Sequence, residues 1–309
     1  MAPYDGWKET VFPPTFKEHH DVYPGIDVRG ALKGAAKGKV ILITGASRGI
    51  GAETVKAFAR AGALGLILAS RTLPALQQIK KEIFEELQSD PSGQYDPNLR
   101  IETYTTDVSS VSQVRSMVDQ AFEVFGRLDI VINNAGYMSS WAPIADHDPE
   151  TWWYTYEVNI RGAFNVAHYT LPKLVESKGH IVLLSSTGAQ LRVYGSSAYA
   201  SSKHTTNRLA ELVTLEYAEK GVKSFAFHPG AILTDLARSA SEVVELVEGG
   251  HVVEDTLALP ANALVRLTSG TEDWLSGRYI AANWDLDDVN GMKDKILSEE
   301  LLINKLAVV

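Results

Sequence analysis

The chain has 309 residues, 45% hydrophobic and 22% charged, enough for one large α/β domain or two small ones around a substantial core. Its net charge of −9 leaves no basic excess to neutralise phosphates, which argues against a nucleic-acid partner, and the absence of cysteine excludes disulfides, thiol catalysis and cysteine-held metals. No apolar run reaches the ~20 residues that cross a bilayer and no signal-peptide pattern opens the chain, so a cytoplasmic protein with no membrane partner is expected.

Residues 1–38 carry Pro13-Pro14, Tyr23-Pro24-Gly25 and the aromatics Trp7, Phe12, Phe16 and Tyr23, with no helical or strand period. They are expected to form an irregular N-terminal extension that packs its aromatics on a surface, the chain's own or a partner's. His19, His20 and Asp21 are adjacent, and adjacent side chains seldom converge on one ion, so no metal site is expected. Order is expected to begin at Lys39-Val-Ile-Leu-Ile-Thr44, an apolar, β-branched run that suits a buried strand. Further strands are expected over 64–70, 100–106, 128–133, 180–185 and 222–228. Helices between them are expected over 49–62, 73–88, 110–125, 149–176 and 198–220, with Thr72 an N-cap before Leu73-Pro74.

Residues 89–98 read as a polar loop with two prolines. Strand and helix alternating in this way imply right-handed crossovers and a parallel sheet covered on both faces, one doubly wound α/β domain over 39–285. Residues 231–257 contain Thr234, Asp235 and Gly249-Gly250 and are expected to form a mobile helical insert, a substrate lid. The run from Asp285 to Gly291 has a superficial likeness to a calcium loop. The position that would need a bidentate Glu is Ile296, so a solvated helix start is the better account, followed by a tail to residue 309.

Two stretches carry chemistry. Thr44-Gly45-Ala-Ser47-Arg48-Gly49-Ile50-Gly51 follows the first strand and opens a helix, where glycines let backbone amides and the helix N-terminus approach a pyrophosphate; a plain connecting turn is the alternative. Tyr199-Ala-Ser-Ser-Lys203 puts a phenol and an ammonium on one helix face. A phenol titrates near ~10 and a fixed cation lowers that value, which would let the pair exchange a proton at neutral pH. Taken alone, such a pair is more often an exposed face.

Taken in order, the glycine turn, Asn133-Asn134-Ala135-Gly136, Asn159, Ser186 and Tyr199-x-x-x-Lys203 resemble the short-chain dehydrogenase/reductase family over about residues 38–282. The resemblance implies a Rossmann fold and a nicotinamide-dependent oxidoreductase. It makes Tyr199 the acid/base, with Lys203 lowering the phenol's pKa and holding the nicotinamide ribose. Ser186 would hold the substrate oxygen, and Asn159 would anchor a water in a proton relay. Without the Tyr–Lys pair, Ser186 would read as a strand-end cap and Asn159 as a satisfied buried amide. By the same comparison Gly45, Ser47, Arg48, Gly49, Ile50 and Gly51 face the cofactor, Asp107 and Val108 meet the adenine, and Asn134, Ala135 and Gly136 line its groove. Pro229, Gly230, Ile232 and Thr234 border the nicotinamide, while Asn133 reads equally as a sheet-stabilising residue.

An NAD site wants a carboxylate after the second strand, and this chain has Ala69-Ser70-Arg71-Thr72 there. Ser70 and Arg71, with Arg48 close by, suit a 2′-phosphate, so NADP(H) is expected rather than NAD(H). Tyr137, Met138, Trp141, Gln190, Leu191, Tyr194 and the insert are expected to line the substrate pocket, which favours a hydrophobic ketone or alcohol; aromatics at such spacings are as often core. The family's glycine-containing close is replaced by Arg278-Tyr-Ile-Ala-Ala-Asn-Trp284-Asp285, which leaves the C-terminal wall of the pocket open. With the aromatic arm, this is similar to a group of fungal reductases. A homodimer or homotetramer is implied. The alternatives are a non-catalytic NADP(H)-binding sensor or scaffold, and a dehydratase or isomerase on the same fold.

Overall fold

Six apolar runs become six parallel strands in the computed structural model, which describes residues 16–89 and 95–306. They are β1 Val40–Thr44, β2 Gly65–Ser70, β3 Arg100–Thr105, β4 Ile130–Asn133, β5 His180–Leu184 and β6 Lys223–His228. A seventh, β7 Tyr279–Ala281, extends the sheet, in the order β3-β2-β1-β4-β5-β6-β7. Every residue of β1, β2, β4 and β5 is buried, as a strand covered on both faces requires. Edge strand β3 is buried only at Ile101, which leaves room for its Glu102 and Thr105.

The chain winds one way from β1 to β3 and the other way from β4 to β7. The carboxyl ends of β1 and β4, paired as neighbours, therefore mark the point where the connections diverge and a crevice opens. The helices are α1 Gly49–Arg60, α2 Leu73–Ser89, α3 Val111–Phe125, α4 Pro149–Tyr156, α5 Gly162–Ser177 and α6 Ser197–Tyr217, then α7 Ser241–Glu248, α8 Ala258–Leu267, α9 Leu286–Gly291 and α10 Lys293–Ser298. The single helix expected over 149–176 is instead α4 and α5 joined by a π-turn, Glu157–Arg161. Asp285 N-caps α9 by accepting from the Asp287 N–H at 2.9 Å, and the helix buries Leu286 and Val289 rather than lying free in solvent.

Packed structure starts well before Lys39. Ile26, Val28 and Ala36 are buried in the core, and Val28 N–H donates to the Asn262 side chain in α8 at 3.1 Å. Phe16 meets Trp284 at 5.2 Å between centroids, so this part of the arm packs on its own chain. Trp7 and Phe12 lie outside the described residues. The arm explains why α8 is buried from Leu259 to Leu267, since one of its faces lies under α1 and another under the Pro24–Ile26 turn. Between β6 and α8, residues 231–257 hold α7, none of whose residues is fully buried.

Candidate active site

The glycine turn is built so that only glycine fits. Gly45 and Gly49 have φ of +66° and +55°, and a Cβ on Gly51 would lie 2.2 Å from the Gly45 carbonyl oxygen. The Asn134 amide locks the turn to the end of β4, donating to the Thr44 and Gly45 carbonyls at 2.8 and 3.2 Å. Thr44 Oγ1 returns the link by accepting from the Asn134 and Ala135 N–H groups at 3.1 and 3.0 Å. Asn133 bonds the Ala163 carbonyl at 3.2 Å and is a sheet-stabilising residue. No side chain caps α1, whose N-cap is Arg48, so its first amides and positive end face the crevice. Ser47 and Ile50 are half-buried on the same turn, and the Thr234 methyl stands 3.4 Å from where a Gly49 Cβ would be. A turn of bare backbone at a helix start fits a pyrophosphate.

The two arginines expected to share a 2′-phosphate have separate partners here. Arg48 pairs with Asp235 at 3.0 Å, on the surface, and Arg71 donates to the Tyr154 hydroxyl at 2.9 Å. Tyr154 in turn sits edge-on to Tyr137, 4.8 Å between centroids. Ser70 accepts from the Thr72 N–H at 3.2 Å, and no carboxylate stands at the end of β2. Asp107 accepts from Ser109 N–H and Oγ at 2.9 and 2.7 Å, a turn that leads into α3, while buried Val108 packs on Gly162.

Around the ends of β4 and β5 the motif residues converge. A Cβ on Gly136 would lie 3.5 Å from Asn159 Oδ1 and 3.7 Å from Lys203 Nζ, ordinary contacts that set this backbone beside both side chains. Ser186 N-caps the turn after β5, accepting from the Gly188 N–H at 3.1 Å, and shares the surroundings of Gly188 with the Tyr199 ring, near enough to lower the phenol. Lys203 is buried, and its ammonium donates to the Leu184 carbonyl at 2.7 Å, 5.7 Å from the Tyr199 ring centroid. Burial depresses Lys203 to about 8.

Burial pushes the Tyr199 phenol up and the Ser186 hydroxyl pulls it down, while the Lys203 ammonium is engaged by the Leu184 carbonyl. Asn159 spends its amide on protein: Oδ1 accepts from the Tyr137 N–H at 2.8 Å, and Nδ2 donates to the Tyr137 carbonyl and Ser202 Oγ, each at 2.9 Å. It is a staple between the loop after β4, the π-turn and α6, and both amide hydrogens are already used.

The expected substrate side is more mixed. Met138 is buried, and its carbonyl accepts from Ser239 Oγ at 3.2 Å, which ties the insert to the loop after β4. Trp141 packs on Gly195, and Leu191 is half-buried. Tyr194 is 77% exposed. Gln190 donates to Asn304 Oδ1 at 3.0 Å, so the chain's own tail docks beside the turn after β5. That tail is held where Asn304 N–H meets Glu211 at 2.9 Å and the Asn304 carbonyl accepts from Arg208 at 2.7 Å. Near the expected nicotinamide end, Gly230 has φ +101° with the Asp255 carboxylate 2.5 Å from its would-be Cβ, Pro229 precedes it, and Ile232 O accepts from the Thr234 N–H at 2.7 Å. Neither Asn304 nor Asp255 carried a local sequence signal.

The family model described as short chain dehydrogenase matches residues 39–245. The chain belongs to the short-chain dehydrogenase family. It is 37% identical over 308 residues to the short chain dehydrogenase mpl6 of Monascus purpureus, covering 96% of this chain and 100% of that one. To the short chain dehydrogenase pigC of Monascus ruber it is 34% identical over 289 residues, covering 92% and 90%. The expected kinship with fungal reductases holds.

Among solved structures, the 3-ketoacyl-(acyl-carrier-protein) reductase from Brucella melitensis complexed with NADH matches with a TM-score of 0.68 at 24% identity, over 80% of this chain and 97% of that one. A 7 alpha-hydroxysteroid dehydrogenase complexed with NADH and 7-oxo glycochenodeoxycholic acid matches with a TM-score of 0.70 at 24% identity, over 82% and 95%. At that identity these two speak for the Rossmann fold alone. As a short-chain dehydrogenase/reductase the protein is an NAD(P)-dependent oxidoreductase. Among the described residues no helix is long and apolar enough to cross a membrane.

Proposed function

We propose that the protein is an NADPH-dependent carbonyl reductase, working on a hydrophobic ketone or, in reverse, a secondary alcohol. The observation that carries this reading is the meeting of Ser186, Tyr199 and Lys203 at the carboxyl edge of the sheet, across from the glycine turn. Gly45, Ser47, Gly49, Ile50 and Gly51 would hold the pyrophosphate and Asp107, Val108 and Ala135 the adenosine, with Pro229, Gly230, Ile232 and Thr234 at the nicotinamide. The bound nicotinamide supplies or accepts the hydride. Ser186 Oγ, close to the phenol, orients the carbonyl oxygen and steadies its developing charge. Tyr199 then gives that oxygen its proton. A phenol raised by burial keeps its proton at neutral pH, the form that reduction needs. Lys203, as an ammonium below about pH 8, keeps a positive charge beside the ring and would bond the ribose.

The absence of an acid after β2, with Ser70 and Arg71 in its place, supports NADPH over NADH. Tyr137, Met138, Trp141 and Leu191 support an apolar substrate, with residues 231–257 as its cover. Phe164 on α5 and Leu212 and Leu215 on α6 are exposed apolar side chains that a homodimer or homotetramer would cover.

The deciding experiment follows NADPH consumption over a panel of hydrophobic ketones. Tyr199→Phe should lose about a thousandfold in kcat while still binding the dinucleotide. Equal turnover by wild type and variant would remove Tyr199 from the chemistry, and tighter binding of NADH than NADPH would overturn the role given to Arg71.

A further inference from the structure

Asp255 is an almost fully buried carboxylate with no cation in its own stretch of chain, and three hydrogen bonds converge on it. Its Oδ2 accepts from the Ala231 N–H at 2.6 Å, while its own N–H donates to the Ala231 carbonyl at 2.8 Å. The two ends of the insert are thus fastened at one point, immediately after Pro229-Gly230. The same carboxylate stands 2.5 Å from where a Gly230 Cβ would be, so with a φ of +101° this position takes glycine alone. Oδ1 accepts from Asn283 Nδ2, just past β7, at 2.8 Å, and bonds His20 Nδ1 of the arm at 2.7 Å. A carboxylate only accepts, so His20 carries its proton on Nδ1. The arm adds its backbone to the fastening: Thr256 N–H donates to the His20 carbonyl at 3.0 Å, and His19 N–H to the Asn283 carbonyl at 2.8 Å.

We infer that Asp255 is a positioning residue for the nicotinamide end of the cofactor site, oriented by His20. It fixes the Pro229–Gly230–Ala231 backbone, and so sets where the nicotinamide half lies without touching the reacting atoms. The inference rests on the cofactor reading above. It makes the N-terminal arm part of the site's support.

The test separates the two halves of the dinucleotide. In Asp255→Asn an amide N–H must face one of the three donors, so the Kd for NADPH should rise roughly tenfold. Adenosine 2′,5′-bisphosphate, which reaches only the adenosine end, should bind as to wild type. His20→Ala should shift NADPH in the same direction, about threefold, and His20→Asn, whose amide can donate from the Nδ1 position, should restore it. If both ligands weaken together in His20→Ala, or NADPH is unaffected by Asp255→Asn, the inference is overturned. If wild type binds neither NADPH nor NADH, the cofactor reading falls and takes this inference with it.

Discussion

Ser185 and Ser186 are neighbours with opposite duties, because successive residues leaving a strand point to opposite sides. Ser185 Oγ is buried against α6, donating to Asn207 Oδ1 and towards the Lys203 carbonyl at 3.3 Å. Ser186 Oγ turns to the crevice, where it meets Gly188 N–H and the Tyr199 phenol. Ser186→Ala should therefore cut kcat by about a hundredfold while changing thermal stability little. Ser185→Ala leaves a buried amide oxygen with no donor and should cost about 1–2 kcal/mol of stability with kcat nearly intact. Kinetics and urea midpoints on both variants decide the matter; equal losses of kcat would mean that the two hydroxyls are not divided as described.

At the scale of elements, the turn between β1 and α1 is the least tolerant piece of backbone. Gly51→Ala drives a methyl into the Gly45 carbonyl, a contact no rotamer relieves, and should cost about 3 kcal/mol and abolish dinucleotide binding. Gly291→Ala is the control, since nothing lies within 4 Å of a Cβ placed there and it ends α9; it should be neutral or stabilise by up to about 1 kcal/mol. Chemical denaturation with dinucleotide titration checks both; full binding by Gly51→Ala would show that the turn can open. The glycine turn and the six long strands were legible because each is a local signal, an apolar run or a glycine spacing. β7 was not, since three residues give no period and its neighbours Arg278 and Asn283 disguise it. The π-turn that brings Asn159 to Tyr137 was equally invisible, because one extra residue in a helical turn leaves no mark on composition.

Across the whole molecule, what the sequence hides is mostly long-range closure. His19 and His20 find Asp285 and Asp255 across 266 and 235 residues, and no spacing rule connects them. The Tyr199-x-x-x-Lys203 spacing was legible as residue types, yet the burial around it was not, because burial is a property of the assembled fold. The same burial sets the acid stability. His228, at the end of β6, accepts from the Thr187 N–H through Nδ1 at 3.2 Å, and burial depresses it to about 3. Between pH 6.5 and 3 the unfolded chain binds a proton that the folded histidine refuses. The stabilisation is therefore complete above about 6.5 and lost as pH falls towards 3, amounting to roughly 2–3 kcal/mol at pH 4.5. Buried Glu272 and Asp255, raised by burial, act with the opposite sign, since they take up protons more readily folded than unfolded. Total acid stability mixes these contributions, so the useful quantity is a difference. His228→Asn keeps an acceptor for Thr187 and removes the titration. Its urea midpoint, referred to its own value at pH 7.5, should fall less between pH 6.5 and 4.5 than that of wild type; parallel falls would mean that His228 is protonated in the fold.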